Sequence, residues 1–252
     1  MGTRRGFTLV ETLVAIAVVA VLLAILIPSL RHVIRRSEVA IDLANLRSTH
    51  QQFYQWGVEH QDAFVNQGPP EPGRGFVLRP QNSDVQVAGP YSMQTFYWPL
   101  VLGGWLGEGY ETWHPRAAPK PSEEEANHIS RGLHFPGARH AYPSKFEMSL
   151  AMLFDPAFFT PGCDTRPTRG MLRFVRWSET AFPASKALLF CTTVDPQNTY
   201  VPNPTPFDPV AAMVDGAAKP VDPGSAVVYP GEPCMSEPFS ETPLGILGRD
   251  LP

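Results

Sequence analysis

The first thirty residues combine a short basic start with a long apolar run. Arg4 and Arg5 come first, and Thr12 to Ile27 then contains no charge and no polar side chain beyond Thr12. Phe7 to Leu30 is 24 residues, about 36 Å of helix at about 1.5 Å per residue. The hydrocarbon core of a bilayer is about 30 Å thick. The pattern therefore predicts a transmembrane helix over residues 7–30.

One acid, Glu11, lies at the start of this apolar run. A charge at membrane depth is costly unless it is neutralised, so Glu11 is a candidate functional residue. A secretory signal peptide is the alternative, but its apolar stretch is shorter and ends at a small-residue cleavage site. Here Pro28-Ser29-Leu30-Arg31 follows the run. The remaining processing point is Gly6, which leaves residues 1–6 as a leader peptide.

The residues Gly6-Phe7-Thr8-Leu9-Val10-Glu11-Thr12-Leu13 resemble the class III signal of type IV prepilins and type II secretion pseudopilins. The resemblance implies that a membrane aspartyl peptidase cuts between Gly6 and Phe7 and that the new N-terminal Phe7 is methylated. Glu11 would then be the fifth residue of the mature chain, and Pro28 would match the helix-kinking proline of many pilins.

An assembly role for Glu11 follows from this processing. Cleavage creates a free amine at Phe7, one helical turn before Glu11. In a filament, the Glu11 carboxylate of one subunit would neutralise the amine of a neighbour, a pairing that is much stronger in lipid than in water. The alternative is that Glu11 only snorkels to the headgroups.

The helix is expected to continue beyond the membrane as residues 31–64. Two opposite stripes with helical spacing support one helix from about Thr8 to about His60. Proline removes a backbone hydrogen bond, so a kink is expected at Pro28. We expect one stripe to pack on the protein's own head and the other on neighbouring subunits; the alternative buries both in one domain. The first stripe is Leu30, Ile34, Ser37, Ile41, Ala44 and Ser48, and the second is Val39, Leu43, Leu46 and Phe53.

The basic flanks do not orient the helix by themselves. Arg4 and Arg5 precede the span, and Arg31, Arg35 and Arg36 follow it, so the positive-inside rule is indecisive. The resemblance implies a single-pass protein of the inner membrane, with a cytoplasmic N-terminus and a periplasmic C-terminal head.

Residues 65–252 are expected to form a β-rich head with an irregular, proline-rich C-terminal tail. The chain has 28 prolines and 20 glycines, but also 15 phenylalanines and five tryptophans with which to build a core. We predict the class α+β, and the resemblance implies a type IV pilin-like fold in which the long N-terminal helix packs on a small antiparallel sheet. Strand candidates are Gly75–Val87, Tyr91–Leu102, Met171–Trp177 and Lys186–Val194; Gly103–Gly107 is expected to be a turn, and Asp215-Gly216 a hairpin turn.

The head carries a weaker resemblance. Tyr97-Trp98-Pro99-Leu100, Pro183 to Phe190 and Val214-Asp215-Gly216 are similar to a group of planctomycete-type pilin-like proteins related to the major pseudopilin. That group typically reads aspartate-glycine-histidine in the late strand pair, where this chain has Ala217. The departure weakens any binding role for that histidine.

No enzymatic motif is found, and the expectation is a protein without catalytic residues, metal or cofactor. His128, His134 and His140 lie in a polar loop with no helical ligand spacing. Major pseudopilins bind calcium in C-terminal loops, which leaves calcium open, although the acids here form no compact ligand set. These acids are Asp195, Asp208, Asp215 and Asp222.

The net charge and the cysteines give the remaining information about partners and covalent links. A net charge of −4 gives no reason to expect nucleic acid. Cys163, Cys191 and Cys234 leave one disulfide plus one thiol open, with Cys191 alternatively a buried small hydrophobe.

Three functional interpretations remain from the sequence. The first is a subunit of a pseudopilus that drives secretion, with the prepilin peptidase, other pilin or pseudopilin subunits and the inner-membrane assembly machinery as partners. The second is a minor or major subunit of an extracellular type IV pilus. The third is a membrane-tethered binding head that uses the prepilin signal only as an anchor.

Overall fold

The computed structural model describes residues 9–66, 76–78, 87–89, 94–107, 144, 146–160, 173–191, 193–194, 200–201, 209–227, 239–240 and 242–252. Two compact units divide the chain, one up to Ile41 and one from Asp42 to Pro252. The elements in chain order are α1 (Leu9–Glu59), β1 (Phe76–Leu78), β2 (Val87–Gly89), α2 (Gln94–Leu106), β3 (Phe146–Met148), β4 (Ala187–Cys191), β5 (Thr193–Val194), β6 (Tyr200–Val201), β7 (Val210–Met213) and β8 (Ala218–Pro220).

Helix α1 runs without interruption for 51 residues. It ends at Glu59, next to the end predicted at about His60, but the continuation predicted over residues 31–64 is too long because residues 60–64 are not helical. Between the apolar run and Trp56 the sequence has neither proline nor glycine after Pro28, so nothing breaks the hydrogen-bond ladder. In the first unit the apolar part is exposed throughout and is long and apolar enough to cross a membrane.

In the second unit, one face of α1 is buried. The buried residues of the helix are Leu46, Thr49, Phe53 and Gly57, which are three or four positions apart, as one helix face requires. Leu46 and Phe53 belong to the second predicted stripe. All six residues of the first stripe are exposed, so the alternative that both stripes are buried in one domain is wrong.

The main sheet has four antiparallel strands in the order β3-β4-β7-β8. Strand β4, at its centre, is buried along its whole length, which confirms the strand predicted over Lys186–Val194. The predicted hairpin turn at Asp215-Gly216 joins β7 to β8, with Gly216 at φ +92°. Helix α1 contacts this hairpin, because Arg47 donates to the Ala218 carbonyl at 3.3 Å and His50 hydrogen-bonds the Val214 carbonyl at 2.9 Å. The α+β, pilin-like fold is confirmed.

The strand predicted over Tyr91–Leu102 is wrong, because this segment forms most of helix α2. The turn predicted over Gly103–Gly107 is wrong for the same reason: the helix continues to Leu106, and only Gly107, at φ +70°, ends it. Tertiary contacts explain why this segment is a helix and not a strand. The Trp98 indole lies edge-on to Phe53 of α1, and its Nε1 donates to the Phe146 carbonyl at 2.8 Å.

The strand predicted over Met171–Trp177 is also wrong where the structure describes it. Arg173 to Val175 has no regular structure, Arg176 makes an isolated bridge to Ala63, and Trp177–Glu179 is a 3-10 turn. The Glu179 carboxylate accepts from the Arg176 backbone N–H at 3.1 Å. This side-chain cap favours a turn over a strand ladder.

The described part of the C-terminal tail contains one 3-10 turn, Gly245–Leu247, and no α-helix or strand, as predicted for an irregular segment. It is nevertheless packed into the head: Phe239, Ile246 and Asp250 are all buried. Phe239 joins a cluster with Phe190, Met213 and Val221 on the sheet. The glycine- and proline-rich sequence from Asn66 to Gly75 predicts a loop, and the polar sequence from Ala117 to Arg139 predicts an exposed excursion. Apart from Asn66, both segments lie outside the described residues.

Candidate functional site

The apolar half of α1 presents one acid in its first turn, Glu11. Gly6 and Phe7 lie outside the described residues. The hydroxyls of this part of the helix bond to its own backbone: Thr12 Oγ1 donates to the Leu9 carbonyl at 2.8 Å, and Ser29 Oγ donates to the Ile25 carbonyl at 3.2 Å. This arrangement suits a lipid environment, where polar groups need a partner within the protein.

Pro28 lies inside α1, near the end of the apolar run. A proline inside a helix has no N–H to give to the carbonyl one turn earlier, which is that of Ala24. The Ser29 hydroxyl bonds at the neighbouring carbonyl of Ile25, so one polar side chain supports the backbone next to the missing bond. A kink at Pro28 stays a prediction.

Comparison with known families finds a match at the beginning of the chain. Residues 1–27 match the family model described as the prokaryotic N-terminal methylation motif. The chain carries a prepilin-type N-terminal signal. No curated protein and no solved structure matches the chain.

The prepilin-type signal gives the apolar helix a role. It implies processing by a peptidase and assembly with other pilin subunits, and it supports a type IV pilin-like subunit. With one exposed apolar helix near the N-terminus, the chain is consistent with a single-pass, membrane-anchored protein. Gly6, Phe7, Glu11 and Pro28 remain the predicted residues for processing, assembly and the kink.

Trp177 packs against the part of α1 that belongs to the head. Its ring stacks on Phe64, with centroids 4.5 Å apart, and lies edge-on to His50 and Tyr54 of the helix. Gly57 is required at the closest approach, because a Cβ there would lie 2.7 Å from Trp177 Nε1. The helix is therefore set against the head by aromatic packing.

Arg173 fixes the loop that presents Trp177. Its guanidinium donates to Asp155 at 2.6 Å and to both carboxylate oxygens of Glu179, at 2.9 and 2.5 Å. Such forked pairs define geometry as well as energy. The hydrogen bonds to Glu179 raise the pKa of Arg173, although its partial burial acts in the opposite direction.

Arg173 helps to lower the pKa of both acids that it contacts, Glu179 and Asp155. The hydrogen bond from Arg173 lowers the pKa of Glu179, against an opposing effect of burial. Burial acts to raise the pKa of Asp155, but the bonds from the Ala157 N–H and from Arg173 outweigh it, and the net pKa is lowered.

Acid is therefore expected to loosen this loop. A carboxylate with a lowered folded pKa stabilises the fold above its unfolded pKa, ordinarily 4.5 for Glu179 and 3.8 for Asp155, and this is lost as pH falls through the folded values. Because all three side chains are about a third exposed, the loss is below about 1 kcal/mol. Thermal unfolding of the detergent-solubilised protein from pH 6 to pH 3 measures it.

The control for this prediction is Arg173→Met, which removes the cation and keeps the acids. Its unfolding temperature should be lower than that of the wild type at pH 6 and should converge with it at pH 3. If the difference between the two proteins is the same at both pH values, the acids do not act through Arg173.

Lys186 and Asp250 form a buried ion pair that the sequence did not reveal. Nζ lies 3.0 Å from Oδ1, and both side chains have no exposed surface. Asp250 Oδ2 accepts from the Ala187 N–H at 2.6 Å, and the Thr242 hydroxyl also bonds to Oδ1. Burial raises the pKa of Asp250 and lowers that of Lys186, while each partner opposes the effect on the other.

This ion pair attaches the C-terminus to the central strand. The Asp250 N–H donates to the Ser185 carbonyl at 2.8 Å, and Val227 N–H donates to the Asp250 carbonyl at 2.9 Å. Ile246 and Asp250 are thus part of the head's core. The only signal in the sequence was a lysine at the start of a predicted apolar strand. Nothing in the sequence paired this lysine with a residue 64 positions away.

The predicted calcium ligands act as turn residues where the structure describes them. Asp215 accepts from the Ala217 N–H at 2.9 Å, and Asp222 accepts from the Gly224 N–H at 3.0 Å, the usual role of aspartate in turns. Within the described ranges, no group of three metal-ligating side chains occurs. Asp195, Asp208, the three histidines His128, His134 and His140, and Cys163 and Cys234 lie outside them; Cys191 is buried in β4.

Proposed function

We propose that this protein is a non-enzymatic structural subunit of a pseudopilus in a type II secretion-like system. Prepilin peptidase would cut between Gly6 and Phe7, and the subunit would assemble through α1 with other subunits and the inner-membrane assembly machinery. The observation that carries the proposal is the prepilin-type signal at residues 1–27, continuous with a helix whose apolar surface is exposed. No cofactor or nucleic acid is needed for this role.

The exposed stripe of α1 supports assembly through the helix. Leu30, Ile34 and Ile41 are each about half exposed or more, although the opposite face of the helix is used to pack the head. An apolar stripe left in solvent costs about 25 cal/mol for each Å². Lipid would cover the apolar surface of the helix before Leu30, and other copies of α1 would cover the exposed stripe after it.

Processing tests the proposal directly. The intact mass and N-terminal sequence of membrane-extracted protein should show a chain that begins at N-methylated Phe7. A Gly6→Leu variant should keep its first six residues, because the bulky side chain blocks the peptidase. A wild-type chain that still begins at Met1, or is cut beyond Leu30, would contradict the proposal.

A subunit of an extracellular type IV pilus is the second candidate, favoured by the same signal. Mechanical shearing separates the two candidates. Surface pili are released into the medium by shear, whereas a pseudopilus confined to the periplasm stays with the cells. Recovery of most of the processed protein in the sheared fraction would replace the first candidate with the second.

A further inference from the structure

The segment of α1 that follows the apolar run carries positive charge on one side. Arg31, His32 and Arg36 are all exposed, and none of the ion pairs found among the described residues involves them. At about 100° per residue, His32 projects about 100° and Arg36 about 140° from Arg31 around the helix axis. Arg35 projects into the same arc, but its side chain is partly buried. The three exposed side chains form what we call the basic side of α1.

The other side of the same segment is apolar. Leu30, Val33 and Ile34 are 53%, 61% and 49% exposed. Measured from Arg31, they project at about 200–300°, outside the arc of positive charge. The segment is therefore amphipathic. Neighbouring copies of α1 would cover its apolar side, so the basic side requires a partner of another kind.

The depth of the basic side in the membrane indicates this partner. With the apolar run in the hydrocarbon core, Arg31 and His32 follow Leu30 by about 1.5 and 3 Å, and Arg36 follows it by about 9 Å. The headgroup layer is about 5–7 Å thick on each side of the core. Arginine side chains are long enough to extend along the helix toward that layer. The basic side therefore lies at the level of the lipid phosphates.

We propose that the basic side of α1, formed by Arg31, His32 and Arg36, binds the headgroups of anionic phospholipids. The guanidinium groups would donate forked hydrogen bonds to phosphate oxygens, and the imidazole would donate one more. A zwitterionic lipid carries its own cation beside the phosphate, whereas an anionic lipid leaves that charge for the protein. This inference rests on the membrane-spanning role of α1 and goes beyond the proposed assembly function.

Lipid phosphates are also available to a single subunit. A copy that awaits assembly in the membrane has no neighbouring copy to supply a counter-charge. Its own helix has no acid from residue 31 to residue 37, and the next one is Glu38. Glu38 lies about 12 Å beyond Leu30, past the headgroup layer. Charge complementarity at the depth of the basic side therefore favours lipid over an acid of another copy.

The lipid selectivity of the full-length protein tests this inference. The protein is reconstituted into vesicles of equal amounts of phosphatidylcholine and phosphatidylglycerol and extracted in mild detergent, and native mass spectrometry counts the phospholipids that it retains. We expect the wild type to retain phosphatidylglycerol in preference. Arg31→Gln with Arg36→Gln should reduce this preference by at least about tenfold, because each cation near anionic headgroups contributes about fivefold to binding.

Two further double variants are matched to this one. Arg31→Lys with Arg36→Lys keeps both charges and should retain most of the preference, since a lysine still binds phosphate as a point charge. Arg176→Gln with Arg249→Gln removes the same net charge from exposed positions of the head and should behave like the wild type. If this head variant loses as much preference as Arg31→Gln with Arg36→Gln, net charge and not the basic side selects the lipid, and the inference is wrong.

Salt provides a measurement on the wild type that depends on no variant. The preference for phosphatidylglycerol should fall as the ionic strength rises, because screening weakens contacts between exposed charges. Equal retention of the two lipids at low salt, or a preference that salt leaves unchanged, would overturn the inference.

The outcomes separate this inference from the proposed function. If Arg31→Gln with Arg36→Gln keeps the lipid preference but no longer forms fibres, the arginines contact a neighbouring copy; the inference is then wrong and the proposed function stands. If the wild type prefers the anionic lipid but its processed form makes no fibre of any kind, the lipid site stands and the proposed function fails.

Discussion

A Glu11→Leu variant is expected to be cleaved and inserted like the wild type, but to lose fibre assembly by at least about a hundredfold. Without the carboxylate, the Phe7 amine of the neighbouring copy stays unpaired inside lipid or packed helices. Removing one partner of a buried pair costs about 3–5 kcal/mol, and about 1.4 kcal/mol already corresponds to tenfold. The measurement is the fraction of processed protein found in fibres after gentle extraction and sedimentation.

Thr12→Val is the matched control for Glu11→Leu. It changes the next residue of the same turn, and the hydroxyl that it removes bonds to the helix's own Leu9 carbonyl. Its assembly should be unchanged. Normal assembly of Glu11→Leu itself would mean that the carboxylate only reaches the headgroup region, the alternative that the sequence left open.

The sequence predicted α1 well because the determinants of this helix are local. A long run of helix-compatible residues, with Pro28 as its one interior proline and Gly57 as the next breaker, needs no knowledge of the rest of the fold. The periodicity also predicted that one of two opposite stripes packs on the head, and the structure shows that it is the stripe with Leu46 and Phe53. The turn at Asp215-Gly216 was predicted for the same reason, since two residues determine it.

The errors lie where distant residues decide the structure. Tyr91–Leu102 is apolar and aromatic, a composition that periodicity alone does not assign to strand or helix. Its contacts with Phe53 and Phe146, 45 and 48 residues from Trp98 along the chain, select the helix. In Met171–Trp177, alternation suggested a strand, but Arg173 and Arg176 are held by Glu179 in a turn.

The candidate assembly residues can be predicted from the sequence alone, whereas the buried ion pair in the core of the head cannot. Gly6, Phe7 and Glu11 lie within one short segment, so their roles in processing and assembly can be predicted from the sequence alone, and these roles stay predictions. Lys186 and Asp250 come together only when the tail folds back on β4. Because lysines are ordinarily exposed, residue type alone would place Lys186 on the surface and not in the core.

An Asp250→Ala variant is expected to destabilise the head by about 3–5 kcal/mol, because it leaves the Lys186 ammonium buried without a counter-charge. It also removes the acceptor of the Ala187 N–H and of the Thr242 hydroxyl. The total stability of a domain is about 5–15 kcal/mol, so the expected loss is a large fraction of it. Urea unfolding of the full-length protein in detergent, followed by tryptophan fluorescence, measures the change.

The double variant Lys186→Met with Asp250→Asn shows whether charge or packing is responsible. A neutral asparagine can accept from the Ala187 N–H and donate to Thr242, and methionine fills most of the volume of lysine without its charge. Replacing a buried ion pair by neutral groups of similar size is often neutral for stability. The double variant should therefore regain most of what Asp250→Ala loses. Lys219→Met, at a partly exposed lysine of β8, should stay within about 0.5 kcal/mol of the wild type. If Asp250→Ala unfolds like that control, the ion pair does not hold the C-terminal segment, and its backbone bonds with Ser185 and Val227 carry the attachment.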